Sequence, residues 1–230
     1  MTVLAGGGSS GGAVALGNHT LTTGAAGINT RFDGVISGSG GLSKQGRGTL
    51  AFSGDNSAYS GAISVQAGVL RVQSGGAQGS TAGNTSVASG AGLELAGGFN
   101  LAEPMSLAGS GVAVAGGTPA GGALRNISGS NTVTGAINLA ADARINSDAG
   151  SLLLDVPAGS ALVGVGRTLS VGGTAATSVA DALTLCGGTL VNDGAGTLTL
   201  SGGGGSLGAT LVNAGTLAAG GANVLPAPAR

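Results

Sequence analysis

The chain has 230 residues, a net charge of −1, 7% charged and 2% aromatic residues, no Trp and one Cys. Against about 25% charge in an ordinary soluble domain, so bare a surface has little field to hold a nucleic acid or an anionic membrane, and a lone Cys excludes a disulfide framework. Gly is abundant at 51 residues, yet aliphatic side chains recur often enough to bury a core, and near-zero net charge removes the repulsion that keeps chains disordered.

The opening "MTVLAGGGSSGG" has no basic stretch followed by an apolar run, so it does not read as a signal peptide. Val3/Leu4 and Val14/Leu16 each adjoin a Gly run. Either pair reads as a strand that could bind outside its own domain, so residues 1–17 and 220–230 are candidate end-pairing segments of a single 1–230 domain. His19, the only histidine, lies in the turn "LGNHTLTTG", with no partners for a metal site or a triad.

Apolar pairs then alternate along the chain: Leu50/Phe52, Leu70/Val72, Leu93/Leu95, Val112/Val114, Ile137/Leu139, Val163/Val165, Leu169/Val171, Leu183/Leu185 and Leu198/Leu200. A period of two marks short strands with one buried face, bounded by Gly, Asn, Asp and Ser turns. Helical periodicity is nearly absent, and Thr174 to Leu185 is the one stretch with room for a short helix. Cys186, in "LTLCGG", reads as a small buried hydrophobe. No apolar run reaches the length of a transmembrane helix.

The spacing is the larger signal. Leu50 to Leu70, Leu70 to Leu93, Leu93 to Val112, Leu169 to Leu190 and Leu198 to Leu217 are each about 20 residues apart, a solenoid coil length. The expected fold is all-β, a parallel β-solenoid of about 11 coils and a rod roughly 50 Å long. Inside the rod, phrases repeat. "GRGTLAFSG" matches "GAGTLTLSG", pairing Gly46, Gly48, Thr49, Leu50, Ser53 and Gly54 with Gly194, Gly196, Thr197, Leu198, Ser201 and Gly202. "VQAGVL" matches "VNAGTL", pairing Val65, Gly68 and Leu70 with Val212, Gly215 and Leu217. The offset changes by one residue between the two phrases, a deletion that an intervening turn absorbs. The repeat-like segments are thus residues 41–73 and 188–219.

The first segment resembles the autotransporter-associated β-strand repeat of bacterial autotransporter passengers. Leu42, Lys44, Gly46, Gly48, Thr49, Leu50, Phe52, Ser53, Gly54, Asn56, Tyr59, Gly61, Val65, Gly68, Leu70 and Val72 fall on that family's pattern. The second segment lacks the Lys and the Tyr. The resemblance implies a right-handed parallel β-helix, secreted or displayed at the bacterial surface, with repeats that assist passenger folding and export. The family's C-terminal barrel is not recognisable here, so the chain reads as a passenger fragment or as an independent protein built from the same coils.

Chemistry is thinly supplied. The tightest charged group is Asp142, Arg144 and Asp148 in "ADARINSDAG". A glycan-cleaving site would use such a group, but solvated turn residues are the simpler reading, and no enzyme, cofactor or metal is expected. Tyr59 reads as a packing residue. An ice-binding Thr-x-Thr array is also not expected, because such phrases occur only at Thr20, Thr132 and Thr197. The expected partners are a second copy, end to end or side by side, and a host or cell-surface ligand, but no nucleic acid. The leading expectation is a non-enzymatic extracellular scaffold, and the alternative is a self-assembling filament subunit that donates a terminal strand.

Overall fold

A computed structural model describes residues 11–113, 121–203 and 205–225. The fold is an all-β parallel solenoid of about 9 turns, each of about 21 residues. No α-helix occurs among the described residues. At about 4.8 Å per turn the rod is roughly 43 Å long.

Most turns carry three short strands, one on each of three faces. The first face begins with Ala13–Ala15 and Val35–Ser37 and resumes with Asn100–Leu101, Ser130–Val133, Ser151–Leu154, Ala176–Val179, Thr197–Leu200 and Thr216–Ala219. The second holds Leu21–Thr23, Leu42–Lys44, Ile63–Val65, Thr85–Val87, Met105–Gly109, Ser160–Val163 and Ala182–Thr184. The third holds Thr30–Phe32, Thr49–Phe52, Gly68–Val72, Ala91–Ala96, Leu124–Ser128, Thr168–Gly172, Thr189–Asn192 and Ala209–Val212. The 11-residue strand Ile137–Ser147 runs across the second and third faces and joins them into one sheet.

Parallel register puts like residue on like. Leu50, Leu70, Leu93, Leu124, Ile145 and Val171 form one inward column. Leu42, Ile63, Thr85, Met105, Ile137, Leu162 and Leu183 form another. Leu101, Val133, Leu154, Val179 and Leu200 form a third. These columns are the core, and each buried aliphatic side chain contributes about 1.5–3 kcal/mol. Two core aromatics, Phe32 and Phe52, stack edge to face with centroids 6.3 Å apart.

The structure corrects several expectations. The coil count is about nine rather than 11, in part because Leu93 stacks on Leu124, not on Val112. Val112 lies in a bend outside any strand, and Val114 lies outside the described residues. The Thr174 to Leu185 stretch forms two strands, Ala176–Val179 and Ala182–Thr184, because pairing to both neighbouring turns outweighs its local helix preference. Cys186 is exposed: Leu185 takes the inward position, and Cys186 turns the corner with φ of 41°. Val163 and Val165 are likewise exposed, since Ala161 and Leu162 fill the core there. At the N-terminus, Ala13–Ala15 pairs with Val35–Ser37 of the same chain, while Val3/Leu4 lies outside the described residues.

Candidate functional site

The repeat segments are distinguished by polar side chains that point inward. Alternation places Lys44 on the core side of Leu42–Lys44, where it is 1% exposed. Its Nζ donates to the carbonyls of Gln45 and Gly46, both at 2.9 Å, and of Ala67 at 3.0 Å. The first two belong to its own corner and the third to the next turn. Burial without a carboxylate partner lowers the amine's pKa.

Asn192 does the same in the second segment. It is buried, and its Nδ2 donates to Ala214 O at 3.1 Å and Thr216 O at 3.2 Å in the next turn. Ala214 corresponds to Ala67, and Asn192 to Lys44, through the offsets of the repeat. The glycines agree. Gly68 and Gly215 both have φ of 65°. A Cβ on either would strike two carbonyls of the turn before, those of Gly46 and Gly48 or of Gly194 and Gly196. The corner therefore requires Gly at both positions. The phrase thus encodes one corner with an inward donor, whichever side chain supplies it. The two corners lie on different faces: Thr49–Phe52 is on the third face, whereas Thr197–Leu200 is on the first.

The first segment holds two further corner residues. Asn56, 1% exposed, accepts from Ile36 N at 2.7 Å and donates to Ala77 O at 2.6 Å, so one amide ties three turns. Tyr59 is buried, and its hydroxyl donates to Ala62 O at 3.0 Å. Burial and the nearby Glu103 push its pKa up to about 12. Leu207 takes the place of Tyr59 in the second segment and packs half-buried on the core. Among the other matched positions, Leu50, Val65, Leu70 and Leu198 are buried, Leu217 is half-buried and Val212 is exposed at the last turn. Thr49 donates its N–H to Asn29, and Ser53 its hydroxyl to Asp33, whereas Thr197 and Ser201 are exposed.

Polar residues inside the rod also occur outside the repeats. Asn131 Nδ2 donates to Asn126 Oδ1 at 2.6 Å, and Asn126 donates to Ala149 O at 2.8 Å. Both side chains are buried. Glu103 is 2% exposed, and neither carboxylate oxygen has a hydrogen-bond partner. Gln78, Thr85 and Tyr59 lie around it, with Gln78 Nε2 donating to Thr85 Oγ1 at 2.8 Å. Burial pushes the Glu103 pKa up to about 8, against an opposing pull from the nearby Thr85 hydroxyl.

The charged groups that resembled a catalytic cluster are dispersed. Arg144 is bidentate to Asp193 at 2.7 Å, Asp148 pairs with Arg125 at 2.6 Å, and Asp142 accepts from Thr168 N at 2.9 Å. Arg31, Arg71, Glu94 and Arg125 lie in one outward column of the third face, with Ala51 between the first two. Glu94 binds Arg71 at 2.7 Å and Arg125 at 3.1 Å. The basic residues, scattered in sequence, are thus brought together but interleaved with carboxylates. A shallow cavity of about 280 Å³ beside them is lined by Arg125, Asn146, Asp148, Thr174 and Asp193. His19 is exposed in its turn.

Residues 42–72 and 190–219 match the passenger-associated-transport-repeat family. The chain carries two passenger-associated-transport-repeats. The matched spans begin and end with the corner units described above, so the repeat is a strand, a Gly corner and the strands that follow, with Lys44 or Asn192 as the inward donor. No curated protein and no solved structure matches the chain. The inward donors of the repeat were missed as such in the sequence; the signal available was a Lys at an even step from Leu42, on the buried side of an alternating strand.

Proposed function

We propose that this chain is a non-enzymatic extracellular scaffold, an autotransporter passenger-type β-helix exposed at the bacterial surface, whose repeats seed coil-by-coil folding during export. The observation that carries this reading is the inward donor. Lys44 and Asn192 each join one turn to the next through backbone carbonyls. A growing solenoid must pay the ordering cost of a new turn before that turn buries its apolar column. A donor already waiting for the next corner's carbonyls lowers that barrier, and this is the role that supports nucleation. Low charge and a single Cys suit a chain that is exported unfolded. On this reading Asp142, Arg144 and Asp148 serve structure and not catalysis.

The test is refolding kinetics of Lys44→Met and Asn192→Leu, with Asn131→Leu as a polar-to-apolar change outside the repeats. The repeat variants are expected to slow refolding, with fractional kinetic effects of about 0.5–0.8, and Asn131→Leu chiefly to speed unfolding. Repeat variants that change only the unfolding rate would contradict the proposal.

A second reading is an end-to-end filament subunit, to which Leu211 and Val212, each 50% exposed among the described residues, lend support. Exposed apolar strand residues of this kind accept a further strand. Electron microscopy distinguishes the two: short rods support the scaffold, and fibres many rod-lengths long support the filament.

A further inference from the structure

The cavity of about 280 Å³ on the third face has no part in a folding role. Arg125, Asn146, Asp148, Thr174 and Asp193 wall it, and the backbone of Gly173 and Gly194 forms its floor. A Cβ on either glycine would strike a carbonyl of the turn before, that of Ser147 or of Gly173. The floor is therefore bare peptide. A Cβ on the neighbouring Gly172 would strike Arg144 Nη2, so its absence lets Arg144 cross the strand to reach Asp193. The carboxylates are thereby fixed, Asp193 by two nitrogens of Arg144 and Asp148 by Arg125 Nε. Arg125 gives Nη1 to Glu94, and its Nη2 has no partner among the described residues. The side chains of Arg125, Asp148 and Asp193 are 27%, 28% and 28% exposed, so each is held in place yet open to a ligand. A second cavity, of about 80 Å³, shares Gly121 and Arg125 with the first and continues past Glu94 to Gly92 and Val69. In register the two follow the turns of Val69, Gly92, Arg125, Asn146, Gly173 and Asp193, a groove of roughly 24 Å along the rod.

We propose that this groove binds a neutral saccharide chain, laid along the rod axis. Charge selects the ligand. Arg144 faces Asp193, and Arg125 faces Asp148 and Glu94. An anion would meet those carboxylates, a cation would meet those guanidiniums, and a zwitterion would have to part the pairs. A hydroxyl does none of these. It donates to a carboxylate and accepts from a guanidinium or an amide, so it adds to an ion pair without breaking it. Neighbouring hydroxyls of a sugar ring also suit the paired atoms of a fixed, planar carboxylate or guanidinium. The glycine floor lets a ring approach the backbone closely. An apolar ligand would leave the charged walls without partners. Length points to a chain and not to a single sugar, because the groove passes several turns. The cavity is shallow, so one sugar is expected to bind only at roughly millimolar level, with affinity built up over successive rings. The groove comes from the third face and not from the repeat corners, so the proposal stands whether or not the repeats seed folding.

Titration of the folded chain, followed by amide chemical shifts at low and high salt, tests this. The neutral probes are cellotetraose, maltotetraose and chitotetraose, and sialyllactose is the anionic one. The expected result is that a neutral probe shifts the amides of Arg125, Asn146, Asp148, Thr174 and Asp193, alike at both salt concentrations, and binds at least about tenfold more tightly than its monosaccharide. Ala195→Trp sets a ring in the cavity without touching the ion pairs, and is expected to weaken binding at least about tenfold. Ala88→Trp adds the same ring at an exposed position off the groove and leaves binding unchanged. Thermal melts of both variants check that the fold persists. Four outcomes overturn the proposal: no neutral probe shifts these amides at tens of millimolar, Ala195→Trp leaves binding intact, Ala88→Trp removes it equally, or sialyllactose alone binds and salt abolishes it. The last outcome assigns the groove to anions instead.

Discussion

The most consequential single residues in this rod are polar ones facing its axis. Lys44 keeps an amine in the core by giving each of three carbonyls a donor, which meets the rule that buried polar groups be satisfied. Glu103 meets no such rule. Its carboxyl has no hydrogen-bond partner, and its pKa lies near 8 against an ordinary value near 4.5. Tyr59, on which the Glu103 charge acts, is itself held neutral, by burial first and by that charge second. Folding therefore takes up a proton at Glu103 at any pH between these values. Its contribution is fully favourable below about pH 4.5, declines as pH rises and levels off above about pH 8, with a limiting slope of about 1.4 kcal/mol per pH unit. Glu103→Gln is expected to remove this slope and to raise stability at pH 8, measured by urea unfolding across the pH range. A variant as pH-dependent as the parent would show that another group binds the proton.

At the scale of elements, the sequence made the strands legible because alternation is local. Leu50/Phe52, Leu70/Val72 and Leu169/Val171 are inward pairs on one face, as their period of two required. What alternation does not encode is which strand lies on which. Val112 sat at the right distance from Leu93 to be its neighbour, but Leu124 takes that place, and Gly111 bridges to Gly122. The span from Leu93 to Leu124, longer than one turn, also puts the two repeats on different faces. The ion-pair column was hidden for a related reason: its members are spaced by turns of unequal length, so they share no sequence period. The repeat corner was legible as a phrase, through Gly46, Gly68 and Gly215, but the role of Lys44 was not. A lone Lys in a chain this poor in charge reads as a surface group until its neighbours' carbonyls are seen around it.

The whole molecule is a stack in which each turn templates the next. Its interior columns run unbroken from Leu50 to Val171 on the third face. Its last turn differs: Ala209–Val212 and Thr216–Ala219 are largely exposed and pair on one side only among the described residues. The first repeat, 42–72, is enclosed by turns on both sides and holds Lys44, Asn56 and Tyr59, so it has the inward bonds needed to order early. The second, 190–219, has Asn192 alone, and its last strands are largely exposed among the described residues. Growth from an early-formed turn is how a one-dimensional array folds. Pulse-labelled hydrogen exchange during refolding tests this most directly. Amides of Leu42 to Val72 are predicted to gain protection before those of Leu152 to Val179. Protection of the latter turns first, or of all turns at one rate, would contradict the account.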